Sequence, residues 1–317
     1  MKKNRPRRFL SSELPIGLNQ AVSGSWKAVS ESRKARGDLP FRMAGPGRTR
    51  TLSERELARQ QRLARTMESE ELPTDLERAQ ELVYEAWERP PEQRSDAALK
   101  ALVLSPRCAD AYLLLADLAP TARERLQLCR QAVVAGQAAL RDSLDPDADL
   151  WTSLRARPYL RARAAYGRAL WDLGELGQAA GELRELARLN PADNLGLRYL
   201  MLPLLIQLGE QAEAEALLEH WAREPSPEWD FNRALLACWR HGPAGKPREI
   251  LKRGMHKNPH VALYLLGLNP LPRRLPEAIT FGCEDEAIDY TARAHGAWTA
   301  VPGALDWLAR VAEKAVS

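Results

Sequence analysis

Residues 160–193, LRARAAYGRALWDLGELGQAAGELRELARLNPAD, space small and large side chains as a closely packed pair of antiparallel helices requires. With Leu160 as position 1, Gly167 stands at 8, Leu170 at 11, Ala179 at 20, Leu183 at 24, Leu186 at 27 and Pro191 at 32. Gly167 and Ala179 mark where two helix backbones approach, and the three leucines fill the space between them. Gly174 supplies the left-handed residue that ends the first helix, and Pro191 follows the end of the second. This is the tetratricopeptide spacing of about 34 residues. A hairpin of this kind leaves one apolar face uncovered, so neighbours are expected on both sides.

The same pattern extends in both directions. Thr74 and Glu77 form a capping box ahead of Leu76, Ala79, Leu82, Val83 and Ala86, which recur at helical spacing and open a repeat at 75–108. An irregular hairpin over 109–159 follows, with an over-long second helix from Thr121 to Arg141 and a loop at SLDPDADLW. Repeats at 194–227 and 228–261 come next; in the last, Pro247 replaces the usual small residue at position 20. Residues 262–317 read as a Pro-rich connection and two short helices, Glu284 to His295 and Gly303 to Lys314, capping the open end. The fold expected is all-α: a tetratricopeptide-like helical-hairpin solenoid over 74–261, with a disordered basic N-terminal tail and a C-terminal capping helical segment.

That tail, 1–73, has its own charge. Residues 1–66 hold 16 Lys or Arg against 5 Asp or Glu, and the remaining 251 residues hold 30 against 37, so a +11 tail precedes a −7 body. Residues 1–50 lack apolar periodicity, and a short Arg-rich helix is expected over 52–67 behind the capping box of Ser53 and Glu56. Nucleic acid is one partner such a tail fits; a solvated leader without a partner is the other reading. The longest apolar run, Tyr199 to Leu208, is too short to cross a bilayer. The basic start is interrupted by Glu13 and Pro15 before an apolar core forms. No membrane role is expected. Four widely spaced cysteines without a CxxC read as reduced core thiols, which places the chain in the cytoplasm.

Two stretches carry more than a generic repeat. Pro106, Cys108, Ala109, Ala111 and Tyr112 lie in ALVLSPRCADAYLLLADLA, residues 101–119. Residues 258–308 contain Asn258, Pro259, His260, Val261, Tyr264, Leu265, Gly282, Glu286, Ala287, Tyr290, Trp298, Gly303, Ala304 and Leu305. With these the chain resembles the suppression-of-tumorigenicity family of animals and its bacterial and plant relatives, over roughly 75–310. The resemblance implies a helical-repeat fold and brings no activity or ligand residues. It departs at the front, where the animal proteins carry transmembrane segments and this chain shows none.

No P-loop, GxSxG or dinucleotide-binding glycine pattern is present. His256 and His260 have the spacing of a helical metal pair, but Asn258 and Pro259 break the helix between them. The acids of GCEDEAIDY suit a helix start. No catalytic residue, cofactor or metal site is expected. The candidate site is instead the inner wall of the stack, where positions 2, 5, 9, 12 and 13 of each repeat point. These positions, with Asn194 beside them, give Arg161, Arg168, Trp171, Asn194, Arg198, Trp229, Asn232 and Arg240 as a strip for a peptide carboxylate or acidic motif of a protein partner. The competing reading is that these arginines pair with carboxylates of adjacent helices, and that most tryptophans are core packing.

Overall fold

The structure, a computed structural model, describes residues 59–60, 74–90, 93–141, 149–273, 275–276 and 279–316. The basic tail, all but two helical residues of the helix expected over 52–67, and most of the loop SLDPDADLW lie outside the described residues. Among the described residues there is no strand, and no helix is long and apolar enough to cross a membrane. The chain divides into two compact units, which meet between Leu197 and Arg198.

The first unit is a run of helical hairpins: α1 (Asp75–Trp87), α2 (Arg94–Leu104), α3 (Ala109–Asp117), α4 (Ala122–Ala139), α5 (Arg157–Asp172) and α6 (Leu176–Leu189). Each helix packs on the next, and α3 also touches α1 and α5. The capping box is made as the sequence suggests: the Glu77 amide donates to Thr74 Oγ1 at 3.2 Å, and the Thr74 amide to Glu77 Oε2 at 3.0 Å. The seams are lined by small residues, Ala79, Ala86, Ala98, Ala101 and Ala111 in one and Ala109, Ala132 and Ala162 in the next. Alanine there brings helix axes close while adding no rotamer entropy to lose.

Gly167 on α5 faces α6, and a β-carbon placed on it would stand 3.2 Å from Leu183 Cδ2. The helix then ends at Gly174, whose φ is +83°. The Gly174 amide donates to the Trp171 carbonyl at 2.8 Å and the Glu175 amide to the Leu170 carbonyl at 3.0 Å, satisfying two of the orphan carbonyls.

The second unit holds α7 (Arg198–Leu208), α8 (Gln211–His220), α9 (Pro227–His241), α10 (Lys246–Lys257), α11 (His260–Leu265), α12 (Glu284–Ala300) and α13 (Ala304–Val316). Pro247, which replaces the small residue of the repeat, sits in the first turn of α10, where its missing N–H is no loss. The C-terminal segment does more than close an end. Helix α12 packs along α7, and its Tyr290 and Trp298 rings lie against Phe231 of α9 at centroid separations of 5.9 and 6.4 Å. The approach to α7 is tight: a β-carbon on Gly296 would come within 2.7 Å of the Gln207 side chain. Trp229, Phe231, Tyr290 and Trp298 are all fully buried, so the aromatic core of this unit is built from α9 and α12 together.

Gly167→Leu places a branched side chain against Leu183 and is expected to cost about 1–3 kcal/mol. Urea unfolding of the full chain checks this; a midpoint equal to that of the parent would mean that α5 and α6 are not packed at this register.

Candidate functional site

The eight strip residues divide between the two units, and most of their polar groups are already engaged. In the first unit, Arg161 of α5 forms a bidentate pair with the fully buried carboxylate of Asp110 on α3, at 3.0 and 2.5 Å, while Gln80 of α1 donates to the same carboxylate at 2.7 Å. The guanidinium also lies 5.4 Å from the centre of the Trp87 ring. Arg168 pairs with Asp172 one turn later at 3.3 Å. Trp171 is half-buried, and the exposed Asn194 donates to Asn190 Oδ1 at 3.0 Å. Arg163, absent from the strip, closes a further pair with Glu182 at 2.7 Å.

In the second unit, Arg198 pairs with Glu224 at 3.2 Å and is held between the Tyr199 and Trp221 rings, 4.4 and 4.5 Å from their centres. Arg240 pairs with Glu215. Trp229 and Asn232 are fully buried. The reason is α12: Tyr290 donates its hydroxyl to Asn232 Oδ1 at 3.0 Å, and Trp298 Nε1 donates to the Tyr290 oxygen at 2.9 Å. The inner face that α9 offers at these positions is therefore covered by the chain itself. Trp229 and Asn232, read from the sequence as inner-wall residues, thus lie inside the second unit.

What holds α12 there is a buried charge cluster that periodicity could not reveal. Arg293 donates to Glu228 of α9 through both terminal nitrogens, at 2.8 and 2.9 Å, and to Asp289 on its own helix at 2.5 Å. Its remaining contact is the Tyr199 carbonyl of α7, at 2.6 Å. That carbonyl is free because Pro203, four residues on inside α7, has no N–H to return to it. A second cluster joins the ends of α10 and α12. Asn258 donates to Glu286 Oε2 at 2.8 Å and to the Cys283 carbonyl at 2.9 Å, and the Gly282 amide donates to Glu286 Oε2 at 2.7 Å. Burial, with Glu228 and Asp285 nearby, pushes the Glu286 carboxyl up to about 7. Asp230, also on α9, meets Arg253 at 2.5 Å and Lys257 at 2.7 Å.

Groups suited to nucleophilic chemistry are muted. Cys108 and Cys129 are buried, and desolvation pushes their thiols up to about 12 and about 11. No cluster of three metal-ligating side chains occurs among the described residues. His260 opens α11, its amide donating to Asn258 Oδ1 at 3.0 Å where the chain turns.

One concave surface in the first unit is lined differently. A cavity of about 630 Å³ lies beside α4, bounded by Pro106, Arg107, Tyr112, Gln127, Arg130 and Val134 among others, with no carboxylate, histidine or cysteine on its wall. Of the residues singled out in the sequence, Pro106 and Tyr112 line it. Its α4 side escaped sequence reasoning because the helix is over-long and out of register with the repeat.

Fold and site together define an all-helical protein of packed hairpins whose inner charges are mostly paired. Comparison with known proteins finds no matching family model. The chain is similar to the suppressor of tumorigenicity 7 protein-like of Bos taurus, 29% identical over 264 residues, covering 74% of this chain and 47% of that protein. Similarity of the same order extends to the protein of that name in Gallus gallus, 28% over 255 residues, 72% of this chain and 45% of the relative. The Protein ST7 homolog of Drosophila pseudoobscura pseudoobscura is 27% identical over 263 residues, 72% of this chain and 47% of its own. The chain thus spans about half the length of the relatives it matches. Asn258, Gly282, Glu286, Tyr290 and Trp298, singled out in the sequence, take part in the polar joints of α12 together with Arg293.

Arg293→Met leaves Glu228 buried and unpaired and is expected to cost about 3–5 kcal/mol in urea unfolding, while Arg293→Met with Glu228→Leu recovers most of that loss. A single variant as stable as the parent would remove the cluster from this role. Glu286 yields a pH test. Its folded value of about 7 lies above the ordinary 4.5, so the folded chain holds the proton more tightly. Its contribution is full below about pH 4.5 and is lost as pH rises toward 7, a change of about 3 kcal/mol. Glu286→Gln keeps an acceptor for Gly282 and Asn258 and should flatten this slope in urea titrations across the window; an unchanged slope would place the proton elsewhere.

Proposed function

We propose that the chain is a non-catalytic scaffold that holds a protein or peptide partner, and that the partner docks on the first unit. The observation that carries this reading is the cavity beside α4, concave and lined by cationic, amide and apolar side chains without an acid or base poised for chemistry. The second unit supports it by contrast, because the inner faces of α7 and α9 are already occupied by α12. Arg161 and Arg168 have their charges met by Asp110 and Asp172, which turns attention from α5 to α4. Tetratricopeptide spacing at 160–193 fits a binding frame of this kind. Four cysteines without a disulfide fit a reducing compartment such as the cytoplasm. The names of these relatives state no ligand or activity, and the support lies in this chain's own surfaces.

A second reading, association with nucleic acid, rests on the excess of 16 basic over 5 acidic residues in 1–66. Salt-sensitive binding that disappears on deleting that segment would favour it.

Peptide-display selection against the full chain tests the scaffold reading. It is expected to enrich peptides that compete with one another and that slow hydrogen exchange of amides within 106–138. Failure to enrich any peptide, or protection confined to 198–316, would reject it.

A further inference from the structure

We infer that the exposed face of α4 takes an acidic peptide segment bearing an apolar side chain; this rests on the scaffold reading above and adds the chemistry of the partner. Gln127, Arg130, Gln131, Val134 and Ala138 all line the cavity and recur at helical spacing, so they form one stripe along α4. Arg123 stands one turn before Gln127, and Arg141 lies just beyond the helix end. Arg107 enters from the turn between α2 and α3. Every ionisable side chain on this stripe is a cation. The acid of α4, Glu124, is engaged at the helix start, where its Oε2 accepts from Thr121 Oγ1 at 2.7 Å.

Many other arginines of the unit are paired internally, while Arg94 and Arg157 donate to backbone carbonyls and Arg125, on α4 itself, makes no ion pair among the described residues. Arg78, Arg155, Arg161, Arg163, Arg168 and Arg188 each have a carboxylate within ion-pair distance. Arg107, Arg123 and Arg130 make no ion pair among the described residues. Guanidinium forks without an internal acid are complementary to carboxylates supplied from outside, which they bind through two parallel hydrogen bonds. Gln127 and Gln131 add amide donors and acceptors for a peptide backbone.

Apolar surface lies in the same place. Val134 is 61% exposed within the cavity, beside Tyr112 and Pro106. A peptide side chain can cover such groups, whereas a phosphate backbone would leave them wet.

Fluorescence anisotropy with the full chain tests this. The probe is a fluorescein-labelled peptide of Glu and Asp around a central Leu, compared with its Gln and Asn counterpart, its Leu→Ser counterpart and poly-uridylate. The acidic peptide is expected to bind, and each counterpart to bind more weakly. Arg130→Glu and Arg107→Glu should each weaken the acidic peptide by about tenfold. Both side chains are exposed, so circular dichroism should be unchanged; if Arg130→Glu lowers helicity, Arg130→Gln replaces it with a smaller loss expected. Binding indifferent to both substitutions, tighter binding of poly-uridylate that Arg130→Glu weakens, or a dimer that Arg130→Glu dissociates would overturn the inference. Display selection separates the two levels: enriched neutral peptides that protect 106–138 sink the acidic partner and leave the scaffold standing. Absence of any enriched peptide sinks both.

Discussion

The second unit depends on how the positive charge of Arg293 is accommodated away from water. A guanidinium at that depth is tolerated only when its donors are met, and three helices supply the acceptors: Glu228 from α9, Asp289 from α12 itself and the Tyr199 carbonyl from α7. The last is open because Pro203 interrupts the hydrogen-bond ladder of α7. A residue that would ordinarily weaken a helix here creates an acceptor for a side chain 94 residues away from Tyr199. The contact is directional in a way apolar packing is not. It helps fix how far along α7 and α9 the helix α12 lies, and at that position Gly296 leaves room for the Gln207 side chain, which a β-carbon would meet at 2.7 Å.

Much of the frame was legible because its determinants are local. Gly167 and Leu183 are 16 positions apart in one hairpin, and the cap of Thr74 and Glu77 and the stop at Gly174 are read within a few residues. The partner choices were not legible. Asp110 and Arg161 are 51 residues apart, and Glu228 and Arg293 are 65 apart. Helical period tells which face a residue shares, not which other helix comes to cover that face. Trp229 and Asn232 were assigned to an inner face that α12 then buries. The helix ends lie beyond 295 and 314 as well: α12 continues to Ala300, where Ala297 and Trp298 are buried, and α13 to Val316.

Arginine abundance carries little functional information in a chain of this composition; pairing and depth decide. Arg161 has its fork filled by Asp110 and its face near Trp87, so it joins α3 to α5. Arg130, on a helix whose acid is engaged at its cap, retains donors directed at nothing else in the described chain. The first kind costs stability when reversed because a buried carboxylate loses its partner. The second costs little, since both states leave the side chain in water. The two kinds of arginine are indistinguishable in sequence and separate only when the long-range acids are located.

The two stretches singled out in the sequence divide in the same way. In 258–308, Asn258, Glu286, Tyr290 and Trp298 have polar atoms that meet one another or Asn232 inside the second unit. Near 106–112, Cys108, Ala109 and Ala111 are core, while Pro106 and Tyr112 reach the cavity beside α4. A buried hydrogen bond restricts its participants to the few side chains that can make it, because losing one partner strands the other. An exposed arginine on α4 is under no such restriction from the fold. The joints therefore fix how the helices are held, and the chemistry of any partner has to be sought on side chains such as Arg107 and Arg130 that the joints leave unconstrained.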